Sequence, residues 1–204
     1  RLEIDLIHEL IGKQDQYAAV YGGFNIFQFN CDGSVEVFPI SLDYRIKLAL
    51  EDHFALFFTG ITRDSASVLV EQNANVLEKM DVLSRMADSV FEFRDRLQAC
   101  DLKGLGEMLH EGWLAKKTLS SDISSPVIDE LYRTGMESGA WGGKILGAGG
   151  GGCMAFITPR KKVLRENMLL TAKKLGLIDF REIRVRFTQG GAAVSFNHFN
   201  HEEG

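Results

Sequence analysis

Apolar residues near the start of the chain fall at helical intervals. Leu2, Leu6 and Leu10, with Ile7 and Ile11, form one stripe, so the first eleven residues predict an amphipathic helix. A stripe that begins at once implies preceding chain. Gly12 interrupts it, and a second short helical pattern through Asp15, Ala18, Ala19 and Tyr21 is stopped by Gly22-Gly23. Phe24 to Phe29 and Val35 to Ile40 carry aromatic and β-branched residues on either side of Asp32-Gly33, so residues 24–40 predict a β-hairpin. The polar stretch from Ser41 to Lys47 marks a change of domain, and Phe54 to Thr59 is a buried strand ending at Gly60.

From 64 to 118 the spacing of Leu69, Val76, Leu77, Met80, Leu83, Met86, Val90, Leu97, Leu105, Leu109 and Trp113 predicts helix almost throughout, with breaks near Asp81 and Asp101. Ser125 as a cap before Pro126 opens a further helix that Gly139 closes. Lys144 to Leu146 and Cys153 to Ile157 read as strands flanking a run of glycines. A helix from Thr158-Pro159 to Leu175 follows, and Ile183 to Phe187 and Ala192 to Phe196 are expected to complete the sheet. Strand, long helices, two strands, helix and two strands describe an α+β fold with an antiparallel sheet.

Composition narrows the function classes. The chain has 204 residues, 45% hydrophobic and 25% charged, and a formal charge of −5, which suits one large domain or two small ones. No basic block marks a nucleic-acid groove. The longest apolar clusters, such as residues 54–58, are strand-sized and too short for a membrane-spanning helix. Cys31, Cys100 and Cys153 are odd in number and widely spaced, which argues against a disulfide framework and favours a reducing, cytoplasmic setting. Against 3 prolines the chain carries 21 glycines, so glycine is put to some specific use.

Six of those glycine-rich positions are consecutive, Gly147-Ala148-Gly149-Gly150-Gly151-Gly152. The run satisfies G-x-G-x-x-G formally, but dinucleotide binding needs a helix to follow, and here a strand follows. A Walker A loop is excluded as well, because Lys144 precedes the glycines and no Gly-Lys-Ser/Thr succeeds them. Two readings stay open. One is a glycine turn or bulge between strands. The other is a place where backbone comes very close to a ligand or another loop, exposing N–H groups suited to anionic oxygens.

Gly12-Lys13-Gln14-Asp15-Gln16-Tyr17 and the segment from Gly143 to Cys153 together resemble the GHMP small-molecule kinases. Three further stretches are similar to the branch acting on D-glycero-D-manno-heptose 7-phosphate: residues 14–23, Thr59-Gly60-Ile61-Thr62-Arg63-Asp64, and Trp113-Leu114-Ala115-Lys116-Lys117 with Ser120-Ser121. The resemblance implies the end of a kinase N-terminal α+β domain over residues 1–48 and a ferredoxin-like C-terminal α+β domain over 49–204. It implies transfer of the ATP γ-phosphate to the anomeric hydroxyl of the heptose phosphate. The alternatives are a galactokinase- or fucokinase-like enzyme, or a non-catalytic sensor or interaction module. The family carries a substrate motif and a phosphate loop ahead of the point where this chain starts. Its Mg2+ ligands belong to that part, so this chain alone is expected to be inactive and no residue in it is assigned to metal.

By the same resemblance Asp15 is the base that accepts the proton of the attacking hydroxyl. Lys13 is expected to hold it ionised, and Tyr21, Gly22 and Gly23 to line the sugar. Arg63 would grip the phosphate that the sugar already carries. Gly147, Gly149, Gly150 and Gly151 would support the phosphate loop. The reading requires Asp15 and the bend at 147–152 to face one cavity. The partners implied are ATP and a small sugar phosphate, with neither nucleic acid nor membrane, and a homodimer as an open expectation.

Overall fold

The computed structural model describes residues 13–62 and 77–193. The apolar stripe before Gly12, Arg63, the helical pattern through Leu69 and Val76, and residues 194–196 of the last expected strand lie outside the described residues. The chain divides into two compact units: Leu42–Arg186, and the hairpin region before Leu42 together with the segment from Phe187 onward.

The smaller unit begins with helix α1 (Gln14–Tyr21), whose first turn contains Asp15. Gly22 and Gly23, at φ 61° and 63°, stop the helix as its sequence requires. Strands β1 (Asn25–Phe29) and β2 (Val35–Pro39) form the expected hairpin, in register from Asn25 opposite Pro39 to Phe29 opposite Val35. Its turn is tied by Asp32, whose Oδ1 accepts from the Ser34 N–H at 2.9 Å and from the Ser34 hydroxyl at 2.6 Å. Tyr17 stacks on Tyr21 with centroids 6.2 Å apart and meets Phe27 and Phe29 edge-on, so α1 sits on one face of the hairpin.

In the larger unit, α2 (Tyr44–His53) starts at Asp43, whose carboxylate accepts from the Arg45 N–H at 2.7 Å. It runs straight into β3 (Phe54–Phe58). Helices α3 (Met80–Gln98) and α4 (Leu102–Lys117) follow, then a 3-10 turn (Ser121–Ile123) and α5 (Pro126–Glu137). Strands β4 (Gly142–Ile145) and β5 (Cys153–Ile157), helix α6 (Lys161–Lys174) and β6 (Arg181–Ile183) complete the unit. The strand order is β4-β5-β3-β6 and every pairing is antiparallel. A β-α-β-β-α-β chain order with the first strand inside the sheet is the ferredoxin-like arrangement.

The core lies between the sheet and its helices, where Phe57, Phe156, Met154, Ile128, Leu131, Leu164, Met168 and Trp113 are fully enclosed. Ser125 caps α5 by accepting from Ile128 N–H, and Pro126 occupies the first helical position, as the sequence indicates. The expected break at Asp101 is present, with Asp101 capping α4 through Gly104 N–H at 3.0 Å. The expected break near Asp81 is present too: residues 77–79 are turn and α3 begins at Met80, with Asp81 in its first turn where it complements the helix dipole. The final strand is shorter and earlier than the pattern suggests. After Ile183 the chain leaves the sheet toward α2, where Arg186 Nη1 meets the buried Glu51 carboxylate at 2.6 Å. Among the described residues no helix is long and apolar enough to cross a membrane.

Candidate functional site

The two groups of sequence-selected residues fall in different units. Asp15, Lys13, Tyr21, Gly22 and Gly23 belong to the smaller one; the glycine run belongs to the larger. Arg63 lies outside the described residues.

Asp15 is exposed at the second position of α1, with the helix preceded by Lys13. Its exposure leaves the carboxylate open to a group approaching from solvent. Lys13 occupies the N-cap position of α1 and makes no side-chain cap bond there, and no ion pair joins it to Asp15 among the described residues. Tyr21 is 49% exposed, and its ring is held against Tyr17 and Phe27. Gly22 and Gly23 do admit a close backbone approach, and what comes close is the chain's own 189–191 segment. A Cβ on Gly22 would overlap Gly190 and the Gly191 nitrogen, and one on Gly23 would stand 3.2 Å from Gln189 Oε1. The segment is pinned there by Ala192 N–H, which donates to Ala19 and Val20 carbonyls at 3.0 and 3.1 Å.

The glycine run is more than a tight turn. It leaves β4 at Leu146, whose N–H donates to Cys153 O at 2.8 Å, and is then fastened at two points on its far side. Gly150 N–H donates to Ile123 O and Gly152 N–H to Ile61 O, both at 2.9 Å. Thr59, fully buried at the end of β3, returns the contact: its N–H and its hydroxyl both donate to Gly152 O, at 2.9 and 2.8 Å. The Thr59 hydroxyl also accepts from Ile61 N–H at 3.2 Å. Gly151 fits against Ile61 so closely that a Cβ would overlap the Ile61 carbonyl oxygen. Of the two readings left open, close approach is the one realised, with other loops as the approaching partners. The N–H groups of Ala148, Gly149 and Gly151 donate to no described group, and such groups suit an anionic oxygen.

Two lysines stand beside the run. Lys116, in the last turn of α4, donates from Nζ to Gly147 O. It follows the buried Trp113 by three residues, on the packed side of its helix. Burial, and second the charge of Lys144, push its ammonium down to about 8. Lys144 on β4 is lowered by burial as well. Lys117, the next residue, faces elsewhere and pairs with Asp129 at 2.9 Å.

Sequence reasoning gave Lys116 no role of its own. The signal was its position one helical turn after a tryptophan in an amphipathic helix. Thr59 reads in sequence as the end of a buried strand; its anchoring of Gly152 depends on a partner 93 residues away. Among the described residues, no group of three or more His, Cys, Asp or Glu side chains can hold a metal ion.

Residues 93–167 match the sequence family described as GHMP kinases C terminal. Over 154 residues the chain is 31% identical to the D-glycero-alpha-D-manno-heptose 7-phosphate kinase of Campylobacter jejuni subsp. jejuni, a match covering 74% of this chain and 45% of that enzyme. A solved Campylobacter jejuni structure described as a sugar kinase superposes with a TM-score of 0.64 at 31% identity, covering 93% of this chain and 52% of that one. The D-glycero-D-manno-heptose 1-phosphate kinase of Bacteroides thetaiotaomicron shares the fold at 24% identity and a TM-score of 0.61, over 93% of this chain and 50% of that one. The chain thus spans about half the length of these relatives. The antiparallel α+β fold expected from the motifs is the fold observed.

Proposed function

We propose that the protein containing this chain is an ATP-dependent sugar kinase of the GHMP type acting on D-glycero-D-manno-heptose 7-phosphate, a reading supported by the match of residues 93–167 to the GHMP kinases C terminal family. The observation that carries the reading is the 31% identity over 154 residues to a heptose 7-phosphate kinase, which extends well beyond the glycine run. In this reading residues 1–48 end the kinase N-terminal domain and 49–204 form its C-terminal domain, in a cytoplasmic enzyme.

Phosphoryl transfer asks a protein mainly for positioning and for neutralisation of charge. ATP supplies the phosphoryl group. The anomeric oxygen of the heptose bonds to the γ-phosphorus as the bond to the leaving ADP oxygen breaks, and the hydroxyl proton passes to a carboxylate. Asp15 is that carboxylate: exposed, uncapped and at the start of a helix. The glycine run contributes support to the phosphate loop through the N–H groups of Ala148, Gly149 and Gly151, which have no partner among the described residues. Tyr21 borders the sugar through its exposed edge. Gly22 and Gly23 act at one remove, by seating the 189–191 segment that completes this face of the unit.

The test is ADP release by the full-length protein against a panel of heptose 7-phosphate, galactose, fucose and mevalonate. Turnover is expected with the heptose phosphate, and Asp15→Asn is expected to lower kcat by roughly 10²–10⁴ while substrate binding survives. Preferential turnover of galactose or fucose would overturn the substrate assignment. Unchanged kcat in Asp15→Asn would remove Asp15 from the chemistry.

A further inference from the structure

Several half-buried cations among the described residues have an oxygen partner. Arg96 is held by Glu92 and Asp101 at 2.8 and 2.9 Å, Lys117 by Asp129, and Lys161 by the Glu51 carbonyl at 3.0 Å. Lys116 and Lys144 differ from Arg96 and Lys117, whose partners are carboxylates. Neither has a carboxylate within ion-pair distance among the described residues, and the Lys144 ammonium has no hydrogen-bond partner there at all.

Their placement is fixed by the packing of α4 on β4. A Cβ at Gly142 would overlap the Gly106 carbonyl of α4 and stand 3.1 Å from His110 Cβ, so that side of the strand is the one α4 crosses. Lys144, two residues on, projects to the same side. Lys116 reaches it from the end of α4, where the carbonyl of Gly147 takes one of its three N–H donors and fixes its head. Both side chains thus belong to the α4 side of β4, and burial, with the charge of Lys144 second, lowers the Lys116 ammonium to about 8. Two like charges brought together and partly desolvated are unfavourable on their own, and an anion between them reverses the sign of the interaction.

We infer that Lys116 and Lys144 form a subsite for a phosphate group, with Gly147 orienting Lys116 toward it. A phosphate dianion matches two cations and offers several acceptor oxygens to the five N–H donors left after the Gly147 bond, whereas a single carboxylate would neutralise only one lysine. The subsite stands on the geometry of these residues; that its phosphate belongs to a kinase substrate rests on the proposed function above. The source is then either the phosphate already on the sugar or a phosphate of the nucleotide. An anion bound there favours the charged form of Lys116, so binding near pH 8 takes up a proton.

The experiment is calorimetric titration of inorganic phosphate into the 204-residue chain at pH 8, in two buffers of different ionisation enthalpy. Saturable binding with net proton uptake is expected. Lys116→Gln and Lys144→Gln should each weaken it by about tenfold or more. Lys116→Arg should keep the binding and lose most of the uptake, because a guanidinium does not titrate in this range; Lys162→Gln, on the exposed face of α6, should change nothing. Tryptophan fluorescence identifies any variant that fails to fold, and Lys144→Gln then carries the test alone. Displacement of phosphate by a hexose 6-phosphate assigns the subsite to the sugar's phosphate, and displacement by ADP assigns it to the nucleotide. Absence of saturable binding, or binding that both glutamine variants leave intact, overturns the proposal. Phosphate binding with no heptose phosphorylation by the full-length protein would instead overturn the kinase reading and leave the subsite standing.

Discussion

The fit of Gly151 against Ile61 makes a quantitative demand on one methyl group. In Gly151→Ala the new Cβ overlaps the Ile61 carbonyl oxygen and lies 3.1 Å from the carbonyl carbon, so backbone rather than a flexible side-chain tip must yield. Overpacking of this kind costs about 1–3 kcal/mol. The displaced carbonyl is also the acceptor for Gly152 N–H at 2.9 Å, and loss of that bond adds about 1 kcal/mol. Gly147→Ala is the control. There φ is 70° with nothing within 4 Å of the added methyl, so only the left-handed conformation costs, about 1–2 kcal/mol. A stiffer unfolded chain returns about 0.4–1 kcal/mol of it. Before that return, which both variants share, the costs are about 2–4 kcal/mol for Gly151→Ala and about 1–2 kcal/mol for Gly147→Ala. At about 2–4 °C per kcal/mol for a chain of this size, the first cost alone lowers the Tm of Gly151→Ala by roughly 4–16 °C. Both tryptophans, Trp113 and Trp141, lie in the larger unit, so their fluorescence in a urea titration follows that unit alone. Equal midpoints for the two variants would refute the close approach of the run to Ile61.

Other perturbations probe the anchors and the charges. Thr59→Val keeps the shape but removes the hydroxyl shared by Gly152 O and Ile61 N–H; a loss of about 1–2 kcal/mol is expected, with faster amide exchange at Ile61 as the local reporter. Lys116, held near 8 against an ordinary 10.5, binds its proton less tightly when folded. The unfolded chain therefore takes up more protons between those values, and stability rises with pH across that window. Lys116→Met should be the more stable protein at pH 7 and lose that advantage toward pH 10. Urea midpoints at five or six pH values check it, and an advantage independent of pH would refute the assignment.

Features encoded by neighbouring residues were legible from sequence, and features encoded by distant ones were not. Asp32-Gly33 between two alternating runs specifies the hairpin, because the turn needs a positive φ at Gly33 and an acceptor at Asp32, both of which are present. Ser125-Pro126 specifies the start of α5 for the same local reason. The glycine run announced that a Cβ was unwelcome, yet a glycine cannot say what excludes its side chain. At Gly22 the excluding group is the 190–191 backbone, and at Gly151 it is Ile61, each far away in the chain. The same holds for charge. Lys116 looks like an ordinary helix-end lysine, favourable to the dipole there, until packing sets Lys144 and Gly147 beside it. Short motifs thus reveal where the backbone is constrained, while the chemistry of a site depends on which constraints the fold brings together. For this chain, the pair of lysines with no carboxylate partner among the described residues is the feature that only the fold could assemble, and a phosphate titration is the most direct measure of what it is for.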